Sequence, residues 1–181
     1  MEQTPAEQMT AADPARAGIE RLRAHHRAPW TGRGPQLARL DAFLDDPAAQ
    51  HALVHQETGR GTTALLVRWV DSVLARDDWA VVFVPISRRF RTAEAGVILG
   101  SLGVQLAACW DEDAQQLVLR PHRARARLGG WLLRDTTPAG KRLLVVVDGL
   151  DEAVGLPVGA DLLPSRLGAG TRVGCRSGPA G

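Results

Sequence analysis

The chain alternates between short, nearly continuous apolar runs and longer stretches whose apolar residues recur at helical spacing. Ala80–Ile86, with Val81, Val82, Phe83 and Val84, and Leu143–Val147 are such runs. A continuous run fits a strand covered on both faces, as in a parallel sheet. His51–His55, centred on Ala52, Leu53 and Val54, and Thr171–Cys175 read as two further short strands. Between them, Leu65, Leu66, Trp69, Val70, Val73 and Leu74 fall at i, i+1, i+4, i+5, i+8 and i+9, which makes one helical stripe. Leu37, Leu40, Phe43 and Leu44 predict an earlier helix that Asp45-Asp46-Pro47 stops. Thr92 is the expected cap of a helix over 93–109, with Ile98, Leu102 and Leu106 inside. A further helix is expected over 113–133, broken or restarted at Pro121, and another over 14–26 on Ile19 and Leu22.

Strands alternating with amphipathic helices predict an α/β fold of three layers around a mostly parallel sheet. The organisation read from this is a partly helical N-terminal extension over 1–28, one α/β domain over 29–176 and a frayed tail over 177–181. The length of 181 residues and 45% hydrophobic content suit one domain with a sizeable core. The net charge of +2 creates no strong field for a polyanion. Cys109 and Cys175 stand far apart and outside any CxxC pair, which argues against a zinc site or a disulfide framework. No aliphatic run approaches the roughly 20 residues of a membrane span. The expected setting is the cytoplasm, away from any membrane.

One stretch carries candidate chemistry. His55-Gln56-Glu57-Thr58-Gly59-Arg60-Gly61-Thr62-Thr63 follows a strand and opens a strong helix. In that context glycines let backbone N–H groups curl around phosphate oxygens, and the positive end of the helix faces the same anion. A hydroxyl at the helix start, here Thr63, can ligate Mg²⁺. Against the pattern G-x-x-x-x-G-K-[ST], Gly61 and Thr63 match, Gln56 replaces the first glycine and Thr62 replaces the lysine. Lys141 is the only lysine in the chain and precedes a strand, at the far edge of the sheet. A second stretch, Leu143–Val147 followed by Asp148-Gly149-Leu150-Asp151-Glu152, is a buried strand ending in acids. Both candidate loops share one edge if the strands are parallel, and ligands of open α/β sheets bind at that edge.

With these residues in view, the sequence resembles the STAND class of P-loop NTPases, particularly the NACHT-type ATPases of the wider AAA+ group. Trp30-Thr31-Gly32-Arg33 is similar to the hydrophobic-Gly-Arg box before their P-loop. Glu57–Leu66 resembles the P-loop and its helix, and Val145–Ala153 resembles their Walker B segment. Thr171–Arg176 stands where the family places its sensor-1 strand. The resemblance implies a nucleotide-binding core for ATP and Mg²⁺ that acts as a regulatory switch in signal transduction, with a protein partner or self-association. Glu57, Thr58, Gly59, Arg60, Gly61, Thr62 and Thr63 would cradle the phosphates, and Arg176 would sense them. Thr63 and Asp148 would serve Mg²⁺, and Asp151 and Glu152 would be the water-activating acids. With Thr62 in place of the lysine, ATPase activity is expected to be weak or absent. The resemblance also implies a sheet order with the Walker B strand beside the sensor strand, and a last strand and helical lid that this chain would lack.

Two other readings stand beside this one. The degenerate loop fits a scaffold that keeps the fold without nucleotide. The arginine runs Arg88-Arg89-Phe90-Arg91 and Arg120–Arg127 fit a nucleic-acid interface, although a solvated basic face explains them more simply.

Overall fold

The computed structural model describes residues 24–25, 32–55, 61–113, 121–156 and 163–178. A first helix, α1 (Gly34–Asp45), starts with proline in its first turn and leads into strand β1 (His51–His55). Helix α2 (Thr62–Leu74) and strand β2 (Trp79–Pro85) follow. Next come helices α3 (Ala95–Cys109) and α4 (Pro121–Leu132), strand β3 (Arg142–Asp148), a single 3-10 turn over Leu150–Glu152 and strand β4 (Thr171–Ser177).

The four strands form one sheet in the order β1-β4-β3-β2, and every neighbouring pair is parallel. The strand ending in acids therefore lies beside β4, as the sequence reading expected. Being parallel, all four strands end at the same edge, where β1 runs into the 56–60 stretch and β3 into Asp148.

Two apolar layers hold the sheet. On one face, Leu40 and Leu44 of α1 and Leu66, Trp69, Val70 and Val73 of α2 pack against Val81, Phe83, Leu144 and Val146. On the other, Ile98, Leu102 and Leu106 of α3 and Leu128, Trp131 and Leu132 of α4 pack against Val82, Val84, Val145, Val147, Val173 and Cys175. Alternate residues of β2 and β3 enter opposite layers, which is why those strands read as unbroken apolar runs. Trp69 is fully buried, and its indole N–H donates to Asp41, which pins α2 to α1. Burying a ring of that size without satisfying its N–H would cost part of the gain.

Two local expectations need correction. Thr92 does not cap α3. Its hydroxyl donates to the Pro85 carbonyl and accepts from the Ser87 N–H, so it closes the loop after β2, and α3 begins two residues later, behind Glu94. The expected restart at Pro121 is met: Pro121 opens α4, where its missing N–H costs nothing, and residues 114–120 lie outside the described ones. Strand β4 runs to Ser177, past the expected Cys175, because Ser177 still aligns with His55. The predicted helix over 14–26 lies almost wholly outside the described residues.

Candidate nucleotide site at the sheet edge

Gly61 sits at the N-cap of α2 with φ +74°. That left-handed conformation is open to glycine at little cost. It turns the chain from the loop into the helix, and the first N–H groups of α2 have no side-chain cap there. An uncapped helix start with no acidic residue in its first turn is a favourable place for an anion. Thr62 is buried and Thr63 half-buried. Glu57, Thr58, Gly59 and Arg60, with Gln56, lie outside the described residues, as do Trp30 and Thr31 of the upstream box.

The Thr63 hydroxyl lies near enough to the Asp148 carboxylate to favour its charged form. The two residues proposed for Mg²⁺, far apart in sequence, thus come to one place at the sheet edge. Asp148 is almost fully buried at the end of β3. Burial pushes its carboxyl above the ordinary carboxylate range; Arg176 and Thr63 pull it back, while Asp151 and Glu152 push it further up.

Arg176 comes from the end of β4, in register with Asp148. Its Nε lies 2.6 Å from Asp148 Oδ1, and a terminal nitrogen lies 3.8 Å from Asp151 Oδ1. The closer contact is an ion pair whose N–H is not aimed at the oxygen. Both buried atoms, Asp148 Oδ1 and Arg176 Nε, therefore lack an aligned hydrogen-bond partner. A carboxylate and a hydroxyl are the oxygen donors a hard cation such as Mg²⁺ prefers, and the residue types present fit that ion, while the Arg176 guanidinium lies against Asp148 Oδ1. Among the described residues, no group of three or more His, Cys, Asp or Glu side chains forms a metal cluster. Any Mg²⁺ held by Thr63 and Asp148 would draw its remaining ligands from phosphate and water.

Gly149 makes the acid turn possible. Its φ is +91°, and a Cβ there would overlap the Ile86 carbonyl oxygen. The Ile86 N–H in turn donates to the Asp148 carbonyl, so β2 and β3 stay locked to their last residues. Asp151 faces Arg176 and the chain after β4; a Cβ at Gly178 would lie 2.7 Å from Asp151 Oδ2. Glu152 is held elsewhere. Its Oε2 accepts from the Arg88 N–H at 2.8 Å, and its carbonyl accepts from the Arg88 side chain.

The edge thus brings Thr63, Asp148, Asp151 and Arg176 together and ties Glu152 to the loop after β2. Sequence reasoning missed that anchoring role of Arg88, which had been read only as part of a basic run. The signal that finds it is position: Arg88 follows β2, and β2 ends at the same edge as β3.

Comparison with protein-family models and with curated protein sequences returns no match. No helix among the described residues is long and apolar enough to cross a membrane.

Proposed function

We propose that this chain is the nucleotide-binding core of a STAND/NACHT-like P-loop NTPase that acts as a regulatory switch in the cytoplasm, with hydrolysis weak or absent. The observation that carries the reading is the juxtaposition of the Thr63 hydroxyl and the Asp148 carboxylate. It brings the start of the helix after the candidate phosphate loop together with the acid at the end of β3. The strand order β1-β4-β3-β2 supports it, because it puts β4 and Arg176 between the two.

When bound, Mg²⁺ would neutralise charge on the nucleotide phosphates. The chain's own residues do the rest. Thr63 and Asp148 would supply oxygen ligands to it. The uncapped start of α2 directs N–H groups at phosphate oxygens. Arg176 offsets the carboxylates of Asp148 and Asp151 and, in this reading, would sense a terminal phosphate. Asp151, free of any backbone anchor among the described contacts, is the better placed acid to orient a water. Glu152 serves by bracing Arg88. The lysine that would neutralise charge building up in phosphoryl transfer is replaced by Thr62, which argues for slow or absent turnover.

A second reading, a nucleotide-free scaffold, is favoured by one observation. Arg176 already neutralises Asp148 within the fold, so the buried carboxylate does not depend on a cation. Thermal melts with Mg²⁺ and ATP, ADP or GTP separate the two. Stabilisation by nucleotide that Thr63→Ala abolishes supports the switch, and a melt indifferent to every nucleotide supports the scaffold.

A further inference from the structure

Asp148 and Arg176 form a buried ion pair where the reading above puts a cation. Their side chains are 4% and 12% exposed, and Arg176 Nε lies 2.6 Å from Asp148 Oδ1. A terminal nitrogen of Arg176 lies 3.8 Å from Asp151 Oδ1, so the guanidinium stands between two carboxylates. Glu152 does not share it, because that carboxylate accepts from the Arg88 N–H.

The Arg176 backbone is fixed. It is in register with Asp148 on one side and Val54 on the other, and its carbonyl accepts from the Gly149 N–H. The side chain is held in another way. Neither Arg176 Nε nor Asp148 Oδ1 has an aligned hydrogen-bond partner, so the contact is one of charge rather than direction. A contact of that kind is open to exchange for a different cation. The same charge bars sharing. An Mg²⁺ ion sits about 2.0–2.1 Å from its oxygen ligands. On Asp148 it would lie beside the guanidinium, in a buried place with little water to screen the repulsion.

We propose that Arg176 is a built-in counter-cation: its guanidinium holds the cation position at Asp148 and keeps a free divalent ion out. The inference rests on the reading of Asp148 as an ion ligand. Under it, Arg176 leaves Asp148 when a phosphate offers the guanidinium another anion, a partner that its planar fork suits. Metal and phosphate are then taken up together, and metal alone is refused.

The test measures Mn²⁺ binding to the full chain without nucleotide, by loss of the free-ion paramagnetic resonance signal. It compares wild type, Arg176→Gln and the double variant Arg176→Gln/Asp148→Asn, with circular dichroism to check folding. Arg176→Gln is expected to bind one ion at least roughly tenfold more tightly than wild type. The double variant is expected to lose that site. Equal binding by wild type and Arg176→Gln overturns the proposal, and so does a site that survives Asp148→Asn. Mg²⁺-ATP calorimetry on wild type keeps the two readings apart. No nucleotide binding, beside a tight Mn²⁺ site in Arg176→Gln, removes the nucleotide reading and leaves Arg176 in this role. Nucleotide binding beside equal Mn²⁺ affinities does the reverse. If Arg176→Gln fails to fold, the Arg176 Nε–H resonance of wild type decides. A resonance that Mg²⁺ alone leaves in place, and that Mg²⁺ with pyrophosphate shifts, supports the proposal. A shift with Mg²⁺ alone, or none under either condition, overturns it.

Discussion

The Thr63 hydroxyl and the Asp148 carboxylate come together at the carboxyl edge of the sheet. Each end of the contact is fixed by a different element, Thr63 by the first turn of α2 and Asp148 by the last residue of β3. Neither end can shift without disturbing a buried layer. If the pair binds Mg²⁺-nucleotide, removing either partner weakens binding while the fold persists. For Thr63→Ala the expected loss is roughly 10- to 150-fold in affinity, matching a charge-assisted bond of about 1.5–3 kcal/mol. Titration calorimetry reads it, and circular dichroism checks that the variant is folded.

Thr62→Lys is predicted to act in the opposite direction. It restores a cation where the phosphate-loop pattern carries one, so Mg²⁺-ATP affinity is expected to rise by roughly the same 10- to 150-fold. An unchanged or weaker affinity in a folded variant would show that the loop does not hold phosphate in the expected way.

Gly149→Ala is predicted to be strongly destabilising. The residue is in the left-handed region and its Cβ would strike the Ile86 carbonyl. The left-handed term alone is about 1–2 kcal/mol. Since about 1 kcal/mol moves the melt of a domain of this size by roughly 2–4 °C, the melt should fall by at least several degrees. A melt within experimental error of wild type would contradict the described turn.

Gln105→Leu keeps the volume of a buried side chain but strips the Phe83 N–H and carbonyl of their partners. Each buried backbone group left unsatisfied costs about 1–3 kcal/mol. The variant is expected to melt lower and, with the β2 edge opened, to aggregate more readily. Turbidity on heating measures the second effect.

Burial pushes the Cys175 thiol up from its ordinary 9.0 to about 11. The folded state therefore binds the thiol proton more tightly than the unfolded chain does. The sign follows: this contribution to stability is complete below pH 9 and is lost as pH rises from 9 toward 11. Cys175→Ala should flatten the fall in melting temperature over that window. In the native wild type, thiol alkylation at pH 8 should occur at Cys109 ahead of Cys175.

Much of the fold is legible in the residues because each layer leaves its own period. Val81–Val84 and Leu143–Val147 are apolar without interruption since both faces of those strands are covered. Leu65–Leu74 is striped since one face of α2 meets the sheet. The Thr63–Asp148 pairing is legible for a topological reason: parallel strands bring their carboxyl ends to one edge. Contacts made by long side chains across elements are not legible in this way. The Arg88 hold on Glu152, the Arg176 pairing with Asp148 and the diversion of Thr92 from cap to loop closure depend on rotamers and neighbours that no local pattern encodes.

Calorimetry of Mg²⁺-ATP on wild type, Thr63→Ala and Asp148→Asn, side by side, tests the central claim most directly. The account predicts one site per chain on wild type and a marked loss in both variants, with neither variant unfolded. Equal affinity in all three proteins would contradict it, since nucleotide would then bind without the pair that defines the site.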